Sequence, residues 1–471
     1  MKGKFKKFLF WFVSVNALLF LGLIFNAKRT WGKENQKIQL RKNQFLQFVH
    51  AVQTRNLKEV ETLAAKGLSV KAYYGKYRLT LLHAAAYFGS VSAAHFLLKQ
   101  GAFIDAEDKK GNTPLMVAVE MRHKRIVRFL LEHGADPNIK SEFGYQITPI
   151  FVAARNGSLK IAELLTTHGA EVDAKSKGLW TPLQAASYNG HLRLVKFFIK
   201  NKASLNFRNK KGDTALDLAV EKNHFKVVKF LLKHGAEPNL KDQEGWTPLD
   251  FAAEAGKIGE ARLLLKHGTE INTQDNFGNS PLELSIQKKH DDIAKFLVFH
   301  GAEVNLENKE GWSPLMSSVF ADMRNTVKFL VAHGSEIDAK NKAGWTPLMF
   351  ASYKGYIKIA RFLISKNADI QLSDHLGNTS LDLSVQQKNL RMSEFLVKHG
   401  AEINTANKRG WTPLMFAADQ GEKKMVSFLL THGAEVDMKN KNGKTALLLA
   451  QKKGYGKVAE ILSSKGSASK L

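Results

Sequence analysis

The stretch GWTPLMFAADQGEKKMVSFLLTHGAEVD, residues 410–437, holds the whole architecture in 28 residues. Thr412 has a side-chain oxygen suited to cap a helix, and Pro413 suits the first helical position, where a missing N–H costs nothing. Ala417 and Ala418 are small enough for close helix packing, and Gly421 ends that helix. A second helix is predicted to run to about Thr431, with Met425, Phe428 and Leu429 on its buried side. Gly433 then takes the left-handed conformation that stops it. The polar stretch from Asp437 to Gly443 reaches the next unit through a hairpin-like turn containing Asn442 and Gly443.

The same pattern recurs along the chain. Its marker positions are Thr80, Thr113, Thr148, Thr181, Thr214, Thr247, Ser280, Ser313, Thr346, Thr379, Thr412 and Thr445; ten of the eleven intervals are 33 residues and one is 35. A shorter match from Phe45 to Gly67 adds an atypical first unit, making about 13 in all. A longer period overlies the first. Trp180, Trp246 and Trp312 are 66 residues apart, as are Trp345 and Trp411, which implies duplication of a two-repeat block with its step broken once.

GWTPLMFAA and LLTHGAEVD resemble the ankyrin repeat, as does TLLHAA at Thr80–Ala85, across residues 45 to about 466. The resemblance implies an all-α solenoid of about 13 helix-turn-helix units with hairpin-like connecting loops. Each unit buries its faces only on its neighbours, and the end units carry polar caps. Most later units replace the signature His with Met, Asp, Glu or Gln, which alters hydrogen bonding at the helix start but not the fold. In this family the hairpin tips and first helices line a concave surface that recognises partner proteins. Carried over by register, that surface is expected to include Trp180, Trp246, Trp312, Trp345 and Trp411, with Met316, Phe320, Met349, Tyr353 and Met415 on the adjacent helices. The opposing reading is that Trp before Thr simply packs between neighbouring hairpins.

Composition excludes several chemistries. There is no cysteine, hence no disulfide, thiolate zinc site or thiol nucleophile. Neither G-x-S-x-G, H-E-x-x-H nor a P-loop occurs. Asp217, Asp250, Glu283 and Asp382 recur by register and are expected at surface positions rather than as a catalytic pair. Of the sixteen histidines, eight (His133, His168, His234, His267, His300, His333, His399 and His432) stand immediately before a Gly at a predicted helix end. There an imidazole can meet terminal carbonyls, whereas metal ligands must converge. The expectation is a protein that is no enzyme, with no cofactor and no metal.

The net charge of +27 raises nucleic-acid and anionic-lipid binding as alternatives. Nine of those charges fall in residues 1–42, and the remainder, mostly Lys, is spread thinly, which disfavours nucleic acid. One local cluster, Arg122, Lys124, Arg125 and Arg128, is the candidate basic patch.

At the amino terminus a basic tail, residues 1–7, precedes the uncharged run FLFWFVSVNALLFLGLIF, residues 8–25. As a helix this spans about 27 Å, near the hydrocarbon thickness of a bilayer. Without an A-x-A-like cleavage site it reads as a single transmembrane signal anchor, followed by a basic linker (26–42), the repeat array (43–466) and a tail (467–471). The charge asymmetry predicts a cytoplasmic amino terminus with the repeats extracytoplasmic, periplasmic in a bacterium. The expected function is a membrane-tethered scaffold that binds an unknown protein partner and contacts the bilayer through residues 8–25. The alternative is a secreted or translocated effector with a cleaved segment. Ser469, Lys470 and Leu471 match the peroxisomal address, which a membrane span argues against.

Overall fold

Helix pairs alternate with tight turns throughout the computed structural model, which describes residues 36–142 and 144–468, with side chains described for 43–142 and 144–464. Among the described residues there are 26 helices and no strand beyond the isolated bridges Tyr74 to Leu79 and Ser373 to Thr379. The chain divides between Lys210 and Lys211 into two units, each with its own core.

The local rules read from residues 410–437 hold, except that Phe428, expected on the buried side, is half-buried. Helix Pro413–Asp419 starts at Thr412, whose extended backbone (φ −98°, ψ 162°) frees its Oγ1 to accept the Met415 N–H at 3.3 Å. The second helix, Lys423–Thr431, buries Met425, Val426 and Leu429. Gly433 has φ +95° with open space around the place a Cβ would occupy, so backbone conformation alone selects glycine there. In each unit first helices pack on first helices of the adjoining repeats: Pro281–Gln287 lies between Pro248–Glu254 and Pro314–Phe320. Second helices form the other layer, as Asp291–Phe299 does against Arg324–Ala332.

The hairpin tips stack through the backbone. In the second unit Lys309 N–H donates to the Phe277 carbonyl (2.9 Å), Lys342 to Glu310 (3.1 Å) and Lys408 to Leu376 (2.9 Å). In this unit an Asp or Asn folds each tip, as Asn308 Oδ1 does by accepting the N–H groups of Glu310 (3.0 Å) and Trp312 (3.1 Å). Close approach between tips demands glycine: a Cβ on Gly245 would lie 2.8 Å from the Asn276 nitrogen.

Helix Gln36–Gln53 begins inside the segment expected as linker and completes the first pair with Leu57–Ala65. The expected anchor, residues 8–25, and the terminal Ser469, Lys470 and Leu471 lie outside the described residues. Among the described residues no helix is long and apolar enough to cross a membrane. Gln36–Gln53, the longest at 18 residues, carries Lys37, Arg41 and Lys42. The expectation of a single-pass membrane protein with extracytoplasmic repeats is corrected on that finding.

Candidate partner-binding face

In the second unit four of the aromatic residues expected at hairpins and first helices, Trp312, Trp345, Phe320 and Tyr353, join Phe350 in one ring cluster. Trp312 lies 4.5 Å from Phe350 and edge-on to Phe320 at 5.5 Å. Trp345 meets Phe350 at 5.0 Å and Tyr353 at 5.3 Å. Phe350 is buried and bridges the two tryptophans, while Phe320 remains 43% and Tyr353 37% exposed. The other tryptophans stand apart from this cluster. Trp246 is buried against Phe251 at 5.1 Å, Trp411 is half-buried on Phe416 at 5.0 Å, and Trp180, in the first unit, is half-buried on Tyr188 at 5.5 Å.

Met316, Met349 and Met415 do not join the face. Their exposures are 0, 0 and 1%, which corrects their expected role as contact residues. They occupy the third helical position, which points back toward the helix start and is covered by adjoining repeats. Met349 Sδ even accepts the Thr346 N–H at 3.4 Å.

The same position explains a second correction. Asp217, Asp250, Glu283 and Asp382 are buried, at 1, 0, 2 and 0% exposure, rather than on the surface. Asp250 Oδ2 accepts both the N–H (2.8 Å) and the Oγ1–H (2.7 Å) of Thr247; Asp217 and Asp382 do the same for Thr214 and Thr379. His83 and Gln184 fill this role in the first unit, Gln184 Oε1 accepting the Thr181 N–H at 3.0 Å. Burial is the main force on the four acids, lifting each pKa to about 7 against the opposing pull of their hydrogen bonds.

Beside Trp312 and Phe320 opens a cavity of about 490 Å³, also lined by Glu283, Gln287, Lys289 and Glu310. Neither Glu283 nor Gln287 stood among the residues expected at a binding surface. The available signal was Glu283 itself, a glutamate where the capping units carry Asp.

All eight histidines before glycine end their helices as expected. Each Nδ1–H donates to the carbonyl four residues back, from 2.7 Å at His300, His333 and His399 to 2.9 Å at His267 and His432. Among the described residues no group of three or more His, Asp or Glu could hold a metal ion. Arg122, Lys124, Arg125 and Arg128 are all exposed, with Arg122 in a left-handed turn (φ 61°) before helix Lys124–Glu132.

A family model described as ankyrin repeats (three copies) matches residues 42–141, 150–242, 234–308, 300–374 and 381–470. The chain belongs to the ankyrin-repeat family. Short segments of the chain are similar to several curated proteins. One is delta-latroinsectotoxin-Lt1a of Latrodectus tredecimguttatus, 41% identical over 85 residues, which are 18% of this chain and 7% of that protein. Another is a B-cell lymphoma 3 protein homolog of Mus musculus, 42% identical over 84 residues, 18% of each chain. A third is an L-asparaginase of Dirofilaria immitis, 31% identical over 124 residues, 26% of this chain and 19% of that one. The matches thus span under a fifth of each relative. Ankyrin repeats generally mediate protein–protein interaction and typically serve as non-enzymatic scaffolds.

Proposed function

We propose that this ankyrin array is an interaction scaffold that binds a protein partner through the aromatic face around Trp312, Trp345, Phe320 and Tyr353. The observation that carries this reading is the ring cluster itself. Trp312, Phe350 and Trp345 are locked together at 4.5 and 5.0 Å, while Phe320 and Tyr353 stay 43 and 37% exposed at its margin. Rigid aromatic side chains with one edge in solvent bury large area at low entropic cost, the property of interface anchors. The half-buried Trp411 and Trp180 lie in register with this cluster but outside it, and Trp246 is too enclosed to contribute a contact.

The test is to pan the immobilised full-length chain against phage-displayed random peptides of about 12 residues, a length that covers an extended span of about 40 Å. Recovered clones are then measured against two surface variants. Changing Phe320→Ser with Tyr353→Ser is expected to abolish capture of most clones, whereas Arg125→Ser with Arg128→Ser leaves it intact. Phe320 and Tyr353 also pack on Trp312 and Trp345, so the aromatic pair is expected to lower the urea midpoint while circular dichroism confirms that the fold is kept; the arginine pair, outside the cluster, is expected to leave both unchanged. Clones that ignore the aromatic pair and respond to the arginines would overturn the assignment in favour of a charge-led surface.

A further inference from the structure

Along the hairpin edge of the second unit the tips change character at Leu376. His375 N–H donates to the Ala343 carbonyl (3.1 Å), Lys408 N–H to Leu376 (2.9 Å) and Lys441 N–H to Arg409 (3.1 Å). Backbone bonds thus fix these tips in one row, which starts at the tip that carries Ala343 and Trp345. Leu376 stands 58% exposed, and Lys408, Arg409 and Lys441 are exposed after it.

The cations of this row have no carboxylate of their own. Asp242, Asp275 and Asp374 fold earlier tips with an aspartate oxygen. Asn407 folds the tip of Lys408 and Arg409, accepting the Arg409 and Trp411 N–H groups at 2.9 Å, and Asn440 folds that of Lys441, accepting those of Asn442 and Lys444 at 3.0 Å. Residues 403–418 and 438–459 contain no Asp or Glu. The acids between those stretches nearest the first of them, Asp419 and Glu422, pair with Lys453 (3.9 Å) and Lys388 (3.0 Å). Lys408, Arg409 and Lys441 form no ion pair with any described residue. At the end of the row Lys444 is held below the ordinary lysine range by its side-chain hydrogen bond to Lys452 and by the repulsion of the two charges, as expected on a surface short of anions.

The shape of the edge selects the form of an anionic partner. The tips abut: a Cβ on Gly377 would lie 2.8 Å from the Lys408 nitrogen, and one on Gly410 3.0 Å from the Lys441 nitrogen. Such a ridge has no groove for a helix, which is about 10–12 Å across, whereas an extended chain can lie along it. Repeats whose helices pack side by side recur at about 8–10 Å, and an extended chain covers about 10 Å in three residues. Leu376, in line with the cations, offers a contact to an apolar side chain, where single-stranded nucleic acid would call for aromatic rings in succession. Arg409 presents the planar fork that a carboxylate matches.

We infer that the hairpin edge from Leu376 to Lys441 holds an extended acidic segment of the protein partner, with an apolar residue on Leu376, one carboxylate on Lys408 and Arg409, and a second on Lys441 three residues further on. The inference rests on the reading of the array as a partner-binding scaffold and gives the chemistry of the segment that leaves the aromatic face.

The experiment follows the panning described above to the composition of the recovered peptides, with the full-length chain throughout. Clones that depend on Phe320 and Tyr353 are expected to share an apolar residue with Asp or Glu at the third and sixth positions after it. Replacing both acids by Asn or Gln in a synthetic peptide of that sequence is expected to weaken binding about 5- to 30-fold, read by fluorescence polarisation. Arg409→Gln with Lys441→Gln is expected to weaken the acidic peptide by a similar factor and to leave the neutral peptide unchanged. Leu376→Ser weakens both peptides alike. Raising salt from about 0.1 to about 1 M closes the gap between the two peptides. The peptide substitution leaves the protein unaltered, so a folding defect in a variant does not obscure the result.

Peptides that need Phe320 and Tyr353 but bind as well without their acids, or ignore Arg409 and Lys441, would leave the face standing and remove the acidic edge. Acids seven residues apart, about 10 Å along a helix, would refute the extended form. Displacement of the peptide by a single-stranded oligonucleotide at equal concentration would assign the edge to nucleic acid instead. Clones that need Arg409 and Lys441 but not the aromatic pair would keep the edge and overturn the face, and the absence of clones dependent on either would overturn both.

Discussion

Replacing Asp250 by Asn is expected to remove a defined share of the pH dependence of stability. Asp250 is wholly buried, with Asp275 and Lys241 the charged groups that act on it, and burial raises its pKa from the ordinary 3.8 to about 7. The folded chain therefore keeps a proton there that the unfolded chain has already lost. Stability from this group is full below about pH 4 and is lost as pH rises through about 7. Integrated between about pH 5 and about pH 8, the linkage amounts to about 2–3 kcal/mol. Asn keeps an oxygen for the Thr247 N–H and Oγ1–H but has nothing to titrate. The assay is urea unfolding by circular dichroism at both pH values, for the parent chain and Asp250→Asn. The parent is expected to lose about 2–3 kcal/mol more than the variant on going to the higher pH; groups common to both cancel in the difference. Near pH 5 the variant should be equal or slightly weaker, because its amide N–H₂ lies where Oδ1 had no partner. Parallel pH profiles would refute the reasoning and show that Asp250 is ionised in the fold at little cost.

The opposite sign is expected at His83, whose pKa burial lowers from 6.5 against the pull of its bond to the Asn112 carbonyl and of Asp108. Stability from the neutral ring is present above about pH 6.5 and lost as pH falls, so His83→Gln should flatten the acid limb of first-unit unfolding followed by urea titration. Gly421→Ala should destabilise more than Gly433→Ala. Both have positive φ, costing about 1 kcal/mol for alanine, but a Cβ at 421 also meets the Tyr455 ring at 2.8 Å while 433 is open; equal urea midpoints would contradict the steric account. Leu330→Ala, at 0% exposure inside helix Arg324–Ala332, should cost about 2–5 kcal/mol. A loss below about 1 kcal/mol on the same assay would mean the site collapses around the deletion.

The repeat, the helix boundaries and the caps were legible in the sequence because each depends on groups within a few residues of one another. Thr412 caps its own helix, Pro413 fits the first position, Gly433 stops the second helix by its own φ, and His432 reaches a carbonyl four residues back. Ring proximity of Trp345 to Tyr353 belongs to the same local class, since Trp345 stands just before helix Pro347–Lys354 and Tyr353 lies near that helix's end.

What only the tertiary structure decided was which of these residues face a neighbour and which face solvent. Met349 and Tyr353 share one short helix, yet Met349 is sealed by adjoining repeats and Tyr353 is 37% exposed. Asp250, a charged residue that reads as surface from its spacing, is interior for the same reason. The cavity is the clearest case: Glu283 meets Ser317, 34 residues away, and both line it, so its walls come from successive repeats. Periodicity states that such residues recur; the distance between stacked helices, set by how small side chains let them approach, determines which of them touch.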